Sequence, residues 1–519
     1  MNFRKINIEE FDKLKKLFPS NCNWEKCKNQ QLERYNNNQL DIFVIENEEE
    51  FIGEITVNYV SQELETEAIF NQRVYLEAFR IDKNFQGKGL GQKLLQYTIS
   101  KLLQAGYFEF TIGVEEDNEI AKHIYFKLGF TEAIDKGVGN EFDPSEYTLY
   151  LKKFDRIIPV IYKLIDNLDL GVIQKEITRV SGGLLNRMYK VTTSKGTYAI
   201  KYLNPEVMKR PNAINNHIFA EKVANIAKLN NIQCISANIY NDSALQKIDD
   251  NYFFVFDWFE GRAITDQEIT IEKVKKVAKQ MANLHKIDFN NILNTSDLGK
   301  TISEVDWDYY LENIENNNIK ELLSKNIQYL KDLDKKSTEA ALKISNNKVI
   351  SHRDLDLPNI LWDENENPVL IDWESSGEVN PCEEVLETAW DWSGGQDYFD
   401  KEKFDCFIKT YKNSGGNISD LKNAILANFK NKSGWLEYNI KRVCKIECLD
   451  EEEKKLGEKE VIRVINEIIK FYEVMENINI DSEELENYKC IDINDLYNDP
   501  NYGSVATKIE RFLSQKKKR

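Results

Sequence analysis

Asp354, Asn359 and Asp372 have the spacing that phosphoryl transfer requires. They lie in His352-Arg353-Asp354-Leu355-Asp356-Leu357-Pro358-Asn359-Ile360-Leu361 and in Val369-Leu370-Ile371-Asp372-Trp373-Glu374. Such a site needs one carboxylate beside the acceptor hydroxyl. It also needs an amide and a second carboxylate to hold Mg2+ on the phosphates. Between the two segments, Glu364-Asn365-Glu366-Asn367 supplies a turn. Upstream, Tyr198-Ala199-Ile200-Lys201 reads as a strand ending in a lysine that would reach nucleotide phosphates. Glu221, on a helix expected over 218–229, is either its partner or one acid among many on a helix face. Ser181, Gly182 and Gly183 precede a strand and are candidates to cover the phosphates. Residues 252–261 read as a strand and hinge beside an adenine pocket.

A second constellation lies near the N-terminus. In Phe85-Gln86-Gly87-Lys88-Gly89-Leu90-Gly91, three glycines alternate between a strand and an amphipathic helix. Glycines there let backbone N–H groups approach an anion without interference from Cβ. The helix N-terminus adds a favourable dipole. Downstream, Asn118 opens a helix that carries Tyr125 and stops at Gly129.

These residues need elements to hold them. Residues 43–45 and 51–57 read as a hairpin, and 74–81, 108–114 and 147–151 as further strands. Apolar residues at helical spacing mark helices over 91–103, 119–128 and 157–168. The mixed order predicts one sheet with helices packed on it. Residues 174–260 are strand-rich around one helix. Residues 262–480 are mostly helical, with a strand-like patch at 348–373. The expected organisation is an N-terminal domain over 1–155, a strand-rich lobe with a linker helix over 156–261, and a helical lobe with its tail over 262–519.

Bulk properties bound the class. A chain of 519 residues exceeds one hydrophobic core. With 41% hydrophobic and 30% charged residues it reads as globular. The net charge of −18 argues against nucleic acid as a partner and suits a cationic small molecule. No apolar run is long enough to span a bilayer, and residues 1–6 lack the apolar core of a signal peptide. The expectation is a cytoplasmic protein without a membrane partner. The eight cysteines have no His neighbours at zinc spacing, so they are expected to be reduced thiols.

The glycine segment and the Asn118/Tyr125 segment together resemble the GNAT N-acetyltransferase superfamily. Gln86-x-x-Gly89-x-Gly91 matches its coenzyme A pyrophosphate motif. The resemblance implies acetyl-CoA as cofactor, with Gln86, Gly87, Gly89, Gly91 and Asn118 binding it. It implies that backbone N–H groups around residues 77–81 hold the oxyanion and that Tyr125 protonates the leaving thiolate. Glu77 is a candidate base or a salt-bridge partner. The second constellation resembles the aminoglycoside phosphotransferase/choline kinase superfamily, which has a bilobal protein-kinase-like fold. That implies Asp354 as catalytic base, Asn359 and Asp372 as Mg2+ ligands, and Lys201, Glu221, Ser181, Gly182 and Gly183 around ATP or GTP. His285 is either a family feature or a capped core histidine. Protein kinases share His-Arg-Asp, but here Asp372-Trp373-Glu374 stands for Asp-Phe-Gly and no Ala-Pro-Glu follows.

An acetyltransferase followed by such a kinase is similar in architecture to bifunctional aminoglycoside-modifying enzymes. The expected substrate is an aminoglycoside, with antibiotic resistance as the consequence. The acids Glu378, Glu383, Glu384, Glu387 and Asp391 either line a cationic acceptor pocket or face solvent. Other acceptors (amino alcohols, amino acids, sugars) and a non-catalytic ligand-binding module remain open at this point.

Overall fold

The apolar segments of the first 155 residues join into one sheet. The computed structural model describes residues 1–18, 23–139, 145–180, 185–289 and 304–477. Its chain divides into two compact units: Met1–Ile177 with Thr192–Gly196 and Lys247–Asn251, and the remainder. In the first, strands β1 (Asn2–Lys5), β2 (Leu40–Asn47), β3 (Glu50–Asn58), β4 (Arg73–Ile81), β5 (Glu109–Glu115), β6 (Glu132–Val138) and β7 (Glu146–Lys153) take the order β1-β2-β3-β4-β5-β7-β6. Only β4 and β5 are parallel, so the sheet is mixed, as expected.

Helices α1 (Trp24–Asn36), α2 (Leu90–Gln104), α3 (Glu119–Lys127) and α4 (Ile158–Asn167) flank it. On one face Leu40, Ile42 and Val44 of β2 pack with Phe11, Leu14 and Trp24. Helix α2 buries Leu94, Leu95, Thr98, Ile99, Leu102 and Leu103, the stripe that its spacing predicts. Helix α4 buries Ile158, Ile161, Leu164 and Ile165 and packs on α2. The first unit therefore runs past residue 155, because the apolar face of α4 is spent there.

A five-stranded sheet follows along the chain. Its strands are β8 (Thr178–Val180), β9 (Arg187–Thr192), β10 (Thr197–Tyr202), β11 (Gln246–Ile248) and β12 (Asn251–Asp257), in the order β11-β12-β10-β9-β8. Between β10 and β11 lie α5 (Pro205–Met208) and α6 (Ala213–Leu229). The rest is helical: α7 (Ile271–Leu284), α8 (Trp307–Asn313) and α9 (Asn317–Ile344) come first. Two short antiparallel pairs interrupt it, β13 (Val349–Ser351) with β16 (Gly377–Val379), and the hairpin of β14 (Ile360–Trp362) with β15 (Pro368–Leu370). Then follow α10 (Pro381–Asp391), α11 (Gly395–Tyr398), α12 (Lys401–Asn413), α13 (Leu421–Ala427), α14 (Phe429–Val443) and α15 (Glu451–Asn477). One apolar cluster runs through these helices and takes in Trp307, Trp373, Trp390 and Trp392. The sheet lobe and the helical lobe are the two expected halves of a kinase-like fold. No described helix is long and apolar enough to cross a membrane.

Candidate active sites

In the first unit the site begins with a defect in the sheet. Along β3 and β4, Glu54 pairs with Arg80 and Thr56 with Glu77, so Ala78 and Phe79 share the place of one residue. This is a β-bulge, and Ala78 takes φ 50° to make it. Strands β4 and β5 pair only from Arg73/Glu109 to Leu76/Ile112. Beyond that register β4 continues to Ile81 and β5 to Glu115, unpaired with each other. The sheet is split there, and the backbone edge of residues 77–81 is left without a strand partner on that side. Free N–H groups on such an edge suit a developing oxyanion.

The glycine loop follows. Gly87 and Gly89 have φ 73° and 71°, and open space lies where a Cβ would point. Gly89 caps α2 with no side-chain hydrogen bond, so backbone donors of the first turn are left available. A Cβ on Gly91 would come 3.0 Å from Cζ of Phe79. Gln86 donates from Nε2 to the carbonyl of Ile81 at 2.9 Å, tying the loop to the strand end. Asn118 is the N-cap of α3, its Oδ1 accepting from the Ala121 N–H at 3.1 Å.

Tyr125 is buried on α3, with its ring 6.1 Å from Phe79 and 6.2 Å from Phe130. Burial pushes its phenol pKa up, so it carries its proton at neutral pH. Phe79 thus touches the glycine loop on one side and Tyr125 on the other. Sequence reasoning missed it, because an apolar strand residue gives no chemical signal.

Glu77 lies within 3.9 Å of Arg34 and 3.4 Å of Gln62. The more unusual acid is Glu54, which sequence reasoning also missed. It is fully buried beside the bulge, with Arg80 at 2.6 Å. Burial pushes its carboxyl up to about 7, against the pull of Arg80.

In the second unit the expected phosphoryl-transfer residues converge from four elements. Lys201, at the end of β10, is buried and lies 2.5 Å from Oδ1 of Asp372 and 2.7 Å from Oε2 of Glu374. Asn359 donates from Nδ2 to the Asp354 carbonyl at 3.0 Å, which pins the loop between them and leaves its Oδ1 able to act as a donor atom for a metal. His352 donates from Nε2 to the Ile371 carbonyl at 2.9 Å, joining that loop to the strand that ends in Asp372. Arg353 and Asp372 both take left-handed backbone, φ 67° and 63°. Non-glycine residues pay for that conformation, and at both places the surrounding bonds enforce it.

Glu221 does not pair with Lys201. Its carboxylate accepts from the Ala237 N–H at 2.7 Å, and burial pushes its pKa up to about 7. Lys201 is taken instead by Asp372 and by Glu374, a partner that sequence reasoning did not assign. Ser181, Gly182 and Gly183 lie outside the described residues. The expected hinge leaves β12 and reaches Arg262, which exchanges backbone hydrogen bonds with Trp362 of β14 at 2.8 and 3.2 Å.

Among the described residues no cluster of three His, Cys, Asp or Glu side chains is arranged to hold a metal. Asp372, Glu374 and the Asn359 amide are hard oxygen donors and too few for a complete cage. Oxygen donors of this kind suit Mg2+.

The acids that follow Asp372 divide. Glu384 is fully buried and accepts from His285 at 2.8 Å, from Ser351 at 2.9 Å and from the Arg353 N–H at 2.7 Å. It supports the loop that carries Arg353 and Asp354, and His285 is its partner. Glu378 pairs with Lys348. Glu387 lies near Asn431 and Lys432, at 3.0 and 3.8 Å. Burial and the carboxylates of Asp356, Asp372 and Glu387 push the Asp354 pKa well up. Burial, then Asp391 and Asp372, push Asp356 up as well. Arg463 offsets part of this at Asp356, and Lys432 does so at Glu387 and Asp391.

Two protein families match the chain. Residues 6–130 match the acetyltransferase (GNAT) family, and residues 176–405 match the phosphotransferase enzyme family APH. The chain carries one domain of each family. A 61-residue stretch is 39% identical to a probable spermine N(1)-acetyltransferase of Bacillus subtilis subsp. natto (strain BEST195), covering 12% of this chain and 40% of that relative. Among solved structures, the spectinomycin phosphotransferase APH(9)-Ia with ADP and spectinomycin is similar at 15% identity and TM-score 0.48, over 61% of this chain and 98% of that one. The choline kinase LicA of Streptococcus pneumoniae is similar at 14% identity and TM-score 0.42, over 61% and 99%. The PaiA N-acetyltransferase of Thermoplasma acidophilum with coenzyme A aligns at 19% identity and TM-score 0.23, over 30% and 98%.

Two stability predictions follow from the buried acids. Glu384→Ala in the APH domain strands three donors and should cost roughly 3–5 kcal/mol in denaturant unfolding. In the GNAT domain, the folded-state pKa of Glu54 lies above its ordinary value. Its ionisation therefore penalises the fold, with no penalty below about pH 4.5 and the full penalty above about pH 7. Glu54→Gln should gain thermal stability relative to the unsubstituted chain as pH rises through that window. A constant difference would show that the carboxyl titrates normally.

Proposed function

We propose that the chain is a bifunctional small-molecule transferase that N-acetylates and O-phosphorylates cationic, amine-bearing acceptors, aminoglycosides foremost. The observation that carries this is the convergence of Asp354, Asn359, Asp372 and Lys201 in an APH domain, on a chain that also holds a GNAT domain with its glycine loop open. Acetyl-CoA supplies the activated acyl group, and ATP with Mg2+ supplies the phosphoryl group.

In the GNAT domain, Gly87 and Gly89 present backbone donors to the pyrophosphate, while Gln86 holds the loop against β4. The unpaired edge at residues 77–81 faces the acyl oxygen. Tyr125 gives its proton to the leaving sulfur. Asn118 serves by fixing the start of α3, and so the place of Tyr125. In the APH domain, Lys201 orients the phosphates, Asp372 and Asn359 hold the metal, and Asp354 accepts the hydroxyl proton.

A cationic acceptor is favoured by the electrostatics around Asp354. Asp356, Glu387 and Asp391 crowd it, and a bound ammonium would favour its ionised form. The match to a spermine acetyltransferase agrees with a polyamine-like acceptor for the acetyl half. Nucleic acid and membrane have no part in this reading.

The test separates the two centres with acceptor panels of aminoglycosides, polyamines and amino alcohols. Asp354→Asn should lower acceptor-dependent ADP formation on the order of 10²-fold or more and leave release of free coenzyme A unchanged. Tyr125→Phe should slow coenzyme A release and spare ADP formation. Acetyl transfer that survives Tyr125→Phe intact would remove Tyr125 from the acid role. Phosphorylation that survives Asp354→Asn would remove the base.

A further inference from the structure

Glu374 is held from two sides. Lys201 is one, and the other is a chain of buried hydrogen bonds that starts far away in the sequence. Glu374 Oε2 accepts from Nδ2 of Asn186 at 2.5 Å. Asn186 Oδ1 accepts from the backbone N–H of Asn204 at 2.8 Å. Asn204 Nδ2 donates to Oε1 of Glu453 at 2.7 Å. The other oxygen of Glu453 accepts from the Leu449 N–H at 2.8 Å. Asn186, Asn204 and Glu453 are all at most 7% exposed. The Asn186 amide can point only one way, because its oxygen meets an N–H and its nitrogen meets a carboxylate.

The same stretch that supplies Glu453 is gripped from the strand-rich lobe at three other points. Arg179 pairs with Glu452 at 3.1 Å, Arg210 bonds Glu447 from Nε at 2.9 Å, and Arg187 pairs with Asp450. Each exposed pair contributes little alone. Together they keep residues 447–453 seated against β8, β9 and the turn after α5, which is what the buried chain requires. Asn186 also lies just after the stretch expected to cover the phosphates, so the chain ties that side of the lobe to the carboxylates beside Lys201.

We infer that Asn186, Asn204 and Glu453 are positioning residues that set the Glu374 carboxylate, and through it the Lys201–Asp372 pair, for binding Mg·nucleotide. This rests on the reading of the second unit as a nucleotide-dependent phosphotransferase. None of the three touches the reacting atoms. They remove the freedom of a side chain that would otherwise have to be ordered when the metal binds.

The experiment is calorimetric titration of the full chain with ADP, with and without Mg2+. Glu453→Ala and Asn186→Ala should each weaken Mg·ADP binding about tenfold, the equivalent of one hydrogen bond to a charged group. Metal-free ADP should change by less than about twofold. Glu453→Gln keeps an oxygen that accepts from Asn204, and its Mg·ADP affinity should stay near that of the unsubstituted chain. Circular dichroism melts identify a variant that fails to fold, and Asn186→Ala then carries the test from the other end of the chain. Equal losses with and without metal would overturn the inference, as would unchanged Mg·ADP affinity in Asn186→Ala. Failure of the unsubstituted chain to bind Mg·ADP at all would instead overturn the phosphotransferase reading beneath it.

Discussion

The buried ammonium of Lys201 holds together two carboxylates, Asp372 and Glu374, that would otherwise repel each other in a low-dielectric site. Much of the second unit serves that contact. Strand β10 brings the lysine in, paired at that residue with Phe254 of β12. The β14–β15 hairpin delivers Asp372, and its left-handed backbone turns the next two residues so that Glu374 faces the lysine. The bond from His352 to the Ile371 carbonyl locks the catalytic loop to the same strand. Deeper still, Glu384 locks that loop through the Arg353 N–H. The strain at Arg353 and Asp372 is sustained because buried polar contacts on both sides leave no alternative arrangement satisfied.

The first unit solves a different problem by a comparable route. An acyl group needs backbone donors inside a sheet, where they are normally consumed by pairing. The bulge at Ala78 and Phe79 and the divergence of β4 from β5 release them. Phe79 then fills the angle between the glycine loop and Tyr125, so one apolar residue sets the spacing of two polar motifs. Each unit thus gathers its candidate groups within its own fold.

How much of this was legible in the sequence depends on where partners lie along the chain. Asp354, Asn359 and Asp372 were readable because their spacing within one loop and one hairpin is local. The glycine loop was readable for the same reason, and the strands from β2 to β5 because their apolar residues cluster between turn formers. Helix α1 and strand β6 were not, since their buried residues are sparse among Lys, Glu, Asn and Asp. Partnerships across the fold were invisible. Nothing local says that Lys201 meets Glu374 rather than Glu221, or that Glu54 is buried next to a bulge. The tie from Asn186 through Asn204 to Glu453 joins residues more than 240 positions apart. The same holds for Glu384, which reads as one more acid in a helix and turns out to be a buried acceptor for three donors.

The central claim is that two transferase centres on one chain serve one kind of cationic acceptor. The direct measurement is the intact mass of a single aminoglycoside after incubation with the purified chain, acetyl-CoA and Mg·ATP together. The account predicts one acceptor molecule bearing both an acetyl and a phosphoryl group, with only the matching adduct when either co-substrate is withheld. Adducts confined to separate, unrelated acceptors would contradict it.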